Sequence, residues 1–166
     1  MTERDMTRRG WLAVAARTLA GGTALAALGV LARSEDAFAV KPTKLVVYKD
    51  PDCGCCRDWV QHLRANGFAP EAHDRSDMDA LKDSLGVPKA LRSCHTAVAG
   101  RYVIEGHVPA ADIKRLLATA PRQIVGLAVP GMPMGSPGMD VPGRKPDHYD
   151  VIAFSGTAAT HVFAKH

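Results

Sequence analysis

Cysteines stand where a short apolar run meets a segment with helical periodicity. The run, Lys44–Lys49, is rich in β-branched residues and predicts a buried strand that ends in the turn signal D-P-D. A C-G-C-C motif begins at Cys53, and apolar side chains within Cys55–Ala65 then recur at the spacing of one helix face. Asp52 is a plausible N-cap for this helix. The sequence therefore predicts a strand, a loop and a helix with three thiols where they meet.

The next part of the chain predicts further strands and helices. A second strand, a second helix, a hairpin and a third helix are expected at Phe68–His73, Asp77–Leu85, Ala97–Ala99 with Tyr102–Ile104, and Pro109–Ala118. Proline at the first position of the third helix is well tolerated there. The order β-α-β-α-β-β-α is typical of an α/β, thioredoxin-like domain, a small mixed sheet with flanking helices.

Beyond Gln123 the pattern changes. An apolar run is followed by a Gly/Pro-rich loop at residues 130–139 and by two short β-like segments, Asp150–Phe154 and Thr160–Ala164. These segments are too short for a second domain. They predict a C-terminal β-hairpin appended to the first domain.

The first 39 residues have the composition of an export signal. Arg8 and Arg9 precede a weakly apolar stretch, and A-F-A at 37–39 offers a small-residue cleavage site. Paired arginines fit the twin-arginine variant. We therefore expect a twin-arginine-type signal peptide at 1–39 and a metal-binding thioredoxin-like domain at 40–166. A membrane-anchoring helix is the alternative, but the stretch is short and contains Gly21, Gly22 and Gly29.

Export restricts what the cysteines can do. The periplasm is oxidising, so thiols there become disulfides unless something occupies them. All four cysteines lie beyond the leader, which leaves a disulfide system or a thiolate metal site. The net charge of +4 includes the leader arginines, and no basic patch has the interleaved aromatic residues of a nucleic-acid binder. We expect no nucleic-acid partner and no stable membrane span in the mature protein.

The cysteine spacing allows both kinds of site. Cys53 and Cys56 have the C-x-x-C spacing of a redox pair, at a helix N-terminus where the dipole favours the thiolate. An enzyme that only oxidises thiols needs Cys53 and Cys56 alone and would gain nothing from Cys55. Cys94, in S-C-H-T, precedes the hairpin strand that approaches the C-x-x-C loop in thioredoxin-like topology. The four thiols are thus predicted to converge, either in one of three disulfide pairings or as ligands.

The arrangement of three cysteines plus one distant cysteine favours copper over zinc. Structural zinc sites usually draw on two separated cysteine pairs. Here one ligand pair is separated by a single residue, and such crowding suits several bridged Cu(I) ions better than one tetrahedral ion. Soft thiolates are ligands that Cu(I) prefers.

Other side chains are candidates for additional ligands or for supporting the ligands: His95, His107, Met132, Met134 and Met139. The methionines lie in the Gly/Pro-rich loop rather than at core spacing, and thioethers are soft ligands. The alternative is that they fill gaps beneath that loop. His95 adjoins a cysteine, whereas the context E-G-H-V-P favours a turn or cap contact for His107. His62 is expected at the surface of its helix.

Four motifs in one order resemble a known family. V-Y-K-D-P-D-C-G-C-C, S-C-H-T, Y-V-I-E-G-H-V-P and V-P-G-M-P-M-G-S-P-G-M look like the periplasmic copper-resistance proteins called CopG, long known only as a domain of unknown function. The resemblance covers nearly all of residues 44–163. It implies a thioredoxin-like fold with a cluster of copper ions, whose ligands carry over to Cys53, Cys55, Cys56 and Cys94. The twin-arginine-like leader departs from a plain secretory signal.

The leading hypothesis is an exported copper-binding protein of copper resistance, holding more than one copper ion in a thiolate-bridged cluster. The resemblance adds the hypothesis of a copper oxidoreductase that interconverts Cu(I) and Cu(II), with a periplasmic electron-transfer or copper-efflux partner. One alternative is a periplasmic thiol–disulfide oxidoreductase using Cys53 and Cys56. The other is a Cu(I) metallochaperone that passes copper on by ligand exchange.

Overall fold

A computed structural model gives the fold of residues 41–156 and 159–166. The predicted signal peptide, residues 1–39, lies outside the described residues, so export stays a prediction from the sequence. Within the described residues, no helix has the length and apolar character needed to cross a membrane.

The helices and strands follow the predicted order. The strands are β1 (Thr43–Lys49), β2 (Phe68–Asp74), β3 (His95–Ala99), β4 (Tyr102–Glu105), β5 (Gly126–Ala128), β6 (Asp150–Phe154) and β7 (Thr160–Lys165). The helices are α1 (Gly54–Ala65), α2 (Met78–Ser84) and α3 (Ala110–Thr119), and a 3-10 turn at Lys89–Leu91 precedes β3.

All seven of these strands join one mixed sheet in the order β2-β1-β3-β4-β5-β6-β7. β1 pairs with β2 in parallel and with β3 in antiparallel, and β3 forms the antiparallel hairpin with β4. This arrangement of β1–β4 with the three helices is the thioredoxin-like fold, as the order of elements predicts.

The C-terminal segments extend that sheet. β5 pairs in parallel with β4, and β6 pairs in antiparallel with β5, with Ala128 opposite Ile152. β7 then completes the predicted hairpin with β6. The appended hairpin therefore shares the sheet of the thioredoxin-like part.

Side-chain alternation gives the sheet two apolar faces. One face, which includes Val47 of β1, packs against Trp59 of α1 and Ile113 of α3. The other face, with Val103 and Phe154, packs against the segment that follows α2. Because neighbouring strand residues point to opposite faces, β4 contributes Ile104 to the first face and Val103 to the second.

The start of α1 differs from the prediction in one respect. Cys53, not Asp52, is the N-cap residue, and no side-chain cap hydrogen bond is formed. The backbone N–H of Asp52 instead donates to Asp50 Oδ1 over 2.9 Å. Asp50 thus forms an Asx turn that ends β1, and the expected capping role of Asp52 is wrong.

Candidate metal centre

The pairing of β1 with β3 brings the distant cysteine to the other three. Lys49, the last residue of β1, lies opposite His95, the first residue of β3. The loop that leaves β1 carries Cys53 at the start of α1, and Cys94 immediately precedes β3. Antiparallel neighbours place the end of one strand beside the beginning of the other. The convergence that the sequence predicts therefore follows directly from the strand register.

The cysteine cluster consists of Cys53, Cys55, Cys56 and Cys94. All four sulfur atoms lie within 4.8 Å of one another. Cys53 and Cys56 are joined in a disulfide, whereas Cys55 and Cys94 are free thiols. Cys55 Sγ lies 3.4 Å from Cys53 Sγ and 4.0 Å from Cys94 Sγ. Cys55 is thus the residue that links the C-x-x-C pair to the distant cysteine.

Two buried histidines contact Cys94 from the side of the core. His95 Nδ1 lies 3.2 Å and His107 Nε2 lies 3.1 Å from Cys94 Sγ. His107 Nδ1 lies 2.8 Å from the carbonyl oxygen of Pro137. Because a carbonyl oxygen only accepts, the proton of neutral His107 is on Nδ1, and the lone pair of Nε2 faces the sulfur. The structure therefore places His107, one of the candidate additional ligands, against Cys94, rather than only in the turn or cap contact that its sequence context favours.

The surroundings of His95 differ. Its ring lies 4.3 Å from the Trp59 ring, centroid to centroid. His95 Nε2 is buried without a hydrogen-bond partner among the described residues. Burial lowers the pKa of His95 well below its ordinary value. His95 is therefore a neutral imidazole whose Nδ1 faces Cys94 Sγ.

Burial also keeps the free thiol protonated. Desolvation, followed by the neighbouring Cys55, raises the pKa of Cys94 to about 12. Burial lowers the pKa of His107. Cys94 is therefore a protonated thiol between two neutral imidazoles, and a soft metal ion would have to displace the thiol proton to bind.

The methionine loop (residues 130–139) lies over the cluster. Met132 Sδ is 4.0 Å from Cys55 Sγ, and 53% of the Met132 residue is exposed. Met134 and Met139 are half-buried, and their backbone N–H groups bond to Asp147 Oδ2 and to the Ser136 carbonyl. The structure thus brings one of the three predicted methionines to the cysteines and gives the other two a role in shaping the loop.

Glycine allows this loop to approach α1. Gly138 has φ +86°, and a Cβ at this position would lie 2.7 Å from Trp59 N and 2.9 Å from Cys55 O. Such distances are too short for any side chain. The loop therefore packs backbone to backbone on the first turn of α1, next to the cysteines.

Sequence reasoning misplaced His62 and did not single out a buried ion pair. His62 is half-buried, and its Nε2 accepts a 3.1 Å hydrogen bond from the N–H of Ala110, the first residue of α3. Lys82 and Glu105 are buried together beneath the segment that carries Cys94. The available signals were a glutamate in the apolar strand Y-V-I-E and a lysine within α2.

The donor set fits a soft metal ion. Four sulfur atoms and two imidazole nitrogens converge, and Cys94 belongs to both groups of potential ligands. His107 donates its Nδ1–H to a backbone carbonyl, which is the usual support of a histidine that binds a metal through its other nitrogen. The Cys53–Cys56 disulfide must be reduced before all four sulfurs can act as thiolate ligands. Cys53 and Cys56 can therefore exchange two electrons with another thiol pair as well as bind a metal.

Comparison with known proteins gives a family match and two similar structures. The family described as "Protein of unknown function, DUF411" matches residues 91–139, the part of the chain that carries Cys94, both site histidines and the methionine loop. Two solved structures, "Copper resistance protein copG- Form 1" and "Form 2", each share 46% sequence identity with a TM-score of 0.71. Each alignment covers 75% of this chain and 98% of the other chain. The search of curated proteins gave no match.

Proposed function

This chain belongs to the family of the copper resistance protein CopG, and on that premise we propose that it is an exported copper-binding protein of copper resistance. The cysteine cluster holds the copper through bridging thiolates. The observation that carries this proposal is the convergence of all four sulfur atoms within 4.8 Å. Export to the periplasm, by the twin-arginine route, is proposed from the leader with Arg8 and Arg9.

Copper is favoured over zinc by the crowding of the sulfurs. Cys55 lies between Cys53 and Cys94, at 3.4 and 4.0 Å from their sulfur atoms. A single tetrahedral zinc ion is usually bound by separated pairs of ligands, whereas bridging thiolates suit more than one Cu(I) ion. We expect more than one copper ion per chain.

Additional donors are proposed on either side of the cysteines. His95 and His107 contact Cys94 from the core, and Met132 reaches Cys55 from the solvent side. Imidazole and thioether both bind copper. Met134 and Met139 lie in the same loop as Met132. We propose that they either donate to copper as well or support the structure of the loop.

The site also suits interconversion of Cu(I) and Cu(II). When the dithiol form of Cys53 and Cys56 closes to a disulfide, it releases two electrons and two protons. These two electrons are sufficient to reduce two Cu(II) ions to Cu(I). A thiol reductant or a periplasmic electron-transfer partner must return two electrons to reopen the disulfide. A copper-efflux protein is the corresponding partner for release.

Metal analysis of the mature protein tests the proposal. The protein is reduced and loaded anaerobically with copper, and copper content and free thiols are then measured. We expect more than one copper ion per chain, accompanied by protection of the thiols, and loss of that copper in Cys94→Ser. The matched control is the same loading with zinc. A wild-type chain that takes up no copper would refute the proposal.

A second candidate function is favoured by the observed disulfide. Cys53 and Cys56 are bonded at the N-terminus of α1, as in a thiol–disulfide oxidoreductase, with Cys55 and Cys94 as a second couple. In its reduced, dithiol form such an enzyme would rapidly reduce a protein disulfide while Cys53 and Cys56 close to a disulfide of their own, and it would bind no copper. A third candidate, a Cu(I) metallochaperone, is favoured by the exposure of Met132. It would transfer copper directly to a partner protein, at a rate that falls in Met132→Leu.

A further inference from the structure

We propose that Glu105 is a positioning residue that holds Cys94 and His95 in place for the cysteine cluster. The inference rests on the proposed function for its purpose, but the geometry that supports it does not depend on copper. Glu105 is the last residue of β4 and is fully buried. Within the part of the chain that the structure describes, its carboxylate bonds to Lys82, Ser93 and Thr96 and to none of the four cysteine sulfurs.

The Glu105 carboxylate binds the chain on both sides of Cys94-His95. Glu105 Oε1 accepts a 2.7 Å hydrogen bond from the backbone N–H of Ser93. Glu105 Oε2 accepts a 2.6 Å hydrogen bond from the hydroxyl of Thr96. The two residues between these bonds are Cys94 and His95. One side chain thereby fixes both ends of the dipeptide that faces the metal centre.

Lys82 completes this arrangement from α2. Its ammonium group lies 2.5 Å from Glu105 Oε1 and donates to Thr96 Oγ1 over 2.8 Å. The Lys82 and Glu105 side chains are 4% and 0% exposed. Among the ion pairs of the described residues, no other has both side chains so deeply buried.

Stability alone does not account for such a pair. Removing two charges from water is costly, and replacement of a buried ion pair by apolar residues of similar volume is often neutral or stabilising. A buried pair that holds specific backbone and side-chain groups instead selects one conformation. Here the conformation selected is that of the segment Ser93–Thr96.

The alternation of side chains along β3 explains how the Lys82–Glu105 pair can position residues of the metal centre. His95 and Thr96 are successive residues of β3 and point to opposite faces of the sheet. His95 packs on Trp59 of α1, on the side of the cysteines, whereas Thr96 bonds to Glu105 and Lys82 on the side of α2. The charged pair therefore acts from the opposite face of the sheet, without entering the ligand set.

The same segment is tied to the methionine loop. The hydroxyl of Ser93 donates to the carbonyl oxygen of Gly131, the residue before Met132. A shift of Ser93 would move both Cys94 and the loop. Glu105 thus fixes the distance between Cys55 and Cys94 and the approach of Met132 together.

Two double variants separate positioning from charge and from stability. Lys82→Met/Glu105→Gln removes both charges, but the glutamine carbonyl still accepts from Ser93 and its NH₂ group can donate to Thr96 Oγ1. Lys82→Met/Glu105→Leu removes the charges and both hydrogen bonds. A third protein, Asp112→Asn/Arg115→Met, is the control: it removes an ion pair on α3, a helix that carries none of the four cysteines.

The first measurement uses no metal. With the Cys53–Cys56 disulfide intact, dibromobimane joins two nearby free thiols and becomes fluorescent, so its rate reports the approach of Cys55 and Cys94. We expect the Gln variant and the control to react within about twofold of wild type and the Leu variant at least about tenfold more slowly, because a displacement of about 1 Å already impairs a step that depends on orientation. Equal rates in all four proteins would overturn the inference.

The second measurement is anaerobic copper loading of the reduced proteins, with unfolding followed by circular dichroism. We expect the Leu variant to lose bound copper and its charge-transfer absorption while it remains folded, and the Gln variant to retain both. Loss of copper in both double variants would assign the effect to charge and overturn positioning. If wild type binds no copper but the crosslinking rates still separate, the proposed function fails and the positioning role of Glu105 stands.

Discussion

Replacing Gly138 by alanine should destabilise the protein by separating the methionine loop from α1. Gly138 has a positive φ, and the backbone of α1 occupies the space that a Cβ of residue 138 would need. The neighbouring residue, Pro137, supplies the carbonyl that accepts the His107 N–H. A displaced loop would therefore also weaken the support of a site histidine.

The cost has two parts. A left-handed backbone costs an alanine about 1–2 kcal/mol. In addition, the Cβ would lie 2.7 Å from Trp59 N, whereas ordinary contact begins at 3.4 Å, so the loop must move, at a cost of about 1–3 kcal/mol. We expect Gly138→Ala to lower the free energy of unfolding by about 2–5 kcal/mol in total.

Gly131 offers a matched control in the same loop. Its φ is +68°, and nothing lies within 4 Å of a Cβ at this position. Gly131→Ala should therefore show the conformational cost alone, about 1–2 kcal/mol. The difference between the two variants isolates the contact with α1.

Urea unfolding followed by circular dichroism gives both free energies, and anaerobic copper loading gives the effect on the site. We expect Gly138→Ala to be less stable than Gly131→Ala and to bind copper more weakly. Equal stability of the two variants would refute the close packing of the methionine loop on α1.

The remaining predictions concern three side chains around the same region. Burial lowers the pKa of His62 below its ordinary 6.5, so the unfolded chain takes up a proton first and stability should fall as the pH drops below about 6.5. Urea unfolding as a function of pH should show a smaller fall in His62→Gln than in wild type, and an equal fall would contradict this role of His62. Trp59→Phe removes the 2.9 Å hydrogen bond from Nε1 to the Val108 carbonyl and leaves a void, which should lower the free energy of unfolding by about 2–4 kcal/mol; a loss below about 0.5 kcal/mol would contradict this packing. Met132→Leu should change stability by no more than about 0.5 kcal/mol, because the side chain is exposed, yet weaken copper binding in a competition with a Cu(I) chelator; unchanged affinity would exclude Met132 as a donor.

The fold was predictable because its elements carry strong local patterns. Lys44–Lys49 reads as a strand and Cys55–Ala65 as an amphipathic helix, and the observed β1 and α1 agree within one residue at each end. Topology then places Cys94 opposite the C-G-C-C motif, since antiparallel pairing of β1 and β3 is inherent in this fold. The convergence of the four cysteines followed from these two steps.

Polar groups that depend on tertiary packing were not predictable. His107 is a candidate ligand whose sequence context favours a turn or cap contact, and nothing local shows that its ring donates to the carbonyl of Pro137, thirty positions away. Lys82 lies in a short helix, where a lysine is ordinarily exposed, yet its ammonium is buried because Thr96 and Glu105 accept its hydrogen bonds. Local sequence shows that a residue can be polar or charged, but not which distant group will satisfy it.

The methionine loop lies in a segment that connects two paired strands of the sheet. It belongs to the segment 129–149, which leaves the sheet at the end of β5 and returns to it at the start of β6, and these strands are neighbours with Ala128 opposite Ile152. The entropy of closing such a segment changes slowly with its length, by about 0.6 kcal/mol for each doubling. Donors at exposed positions of this segment, such as Met132, can therefore be changed while the strand register stays the same, provided that Gly131, Pro137 and Gly138 keep their contacts with Ser93, His107 and α1. The fold thus separates the cysteine cluster, held by β3 and α1, from the exposed part of the loop that lies over it, and metal preference can be engineered in that part with the least effect on the fold.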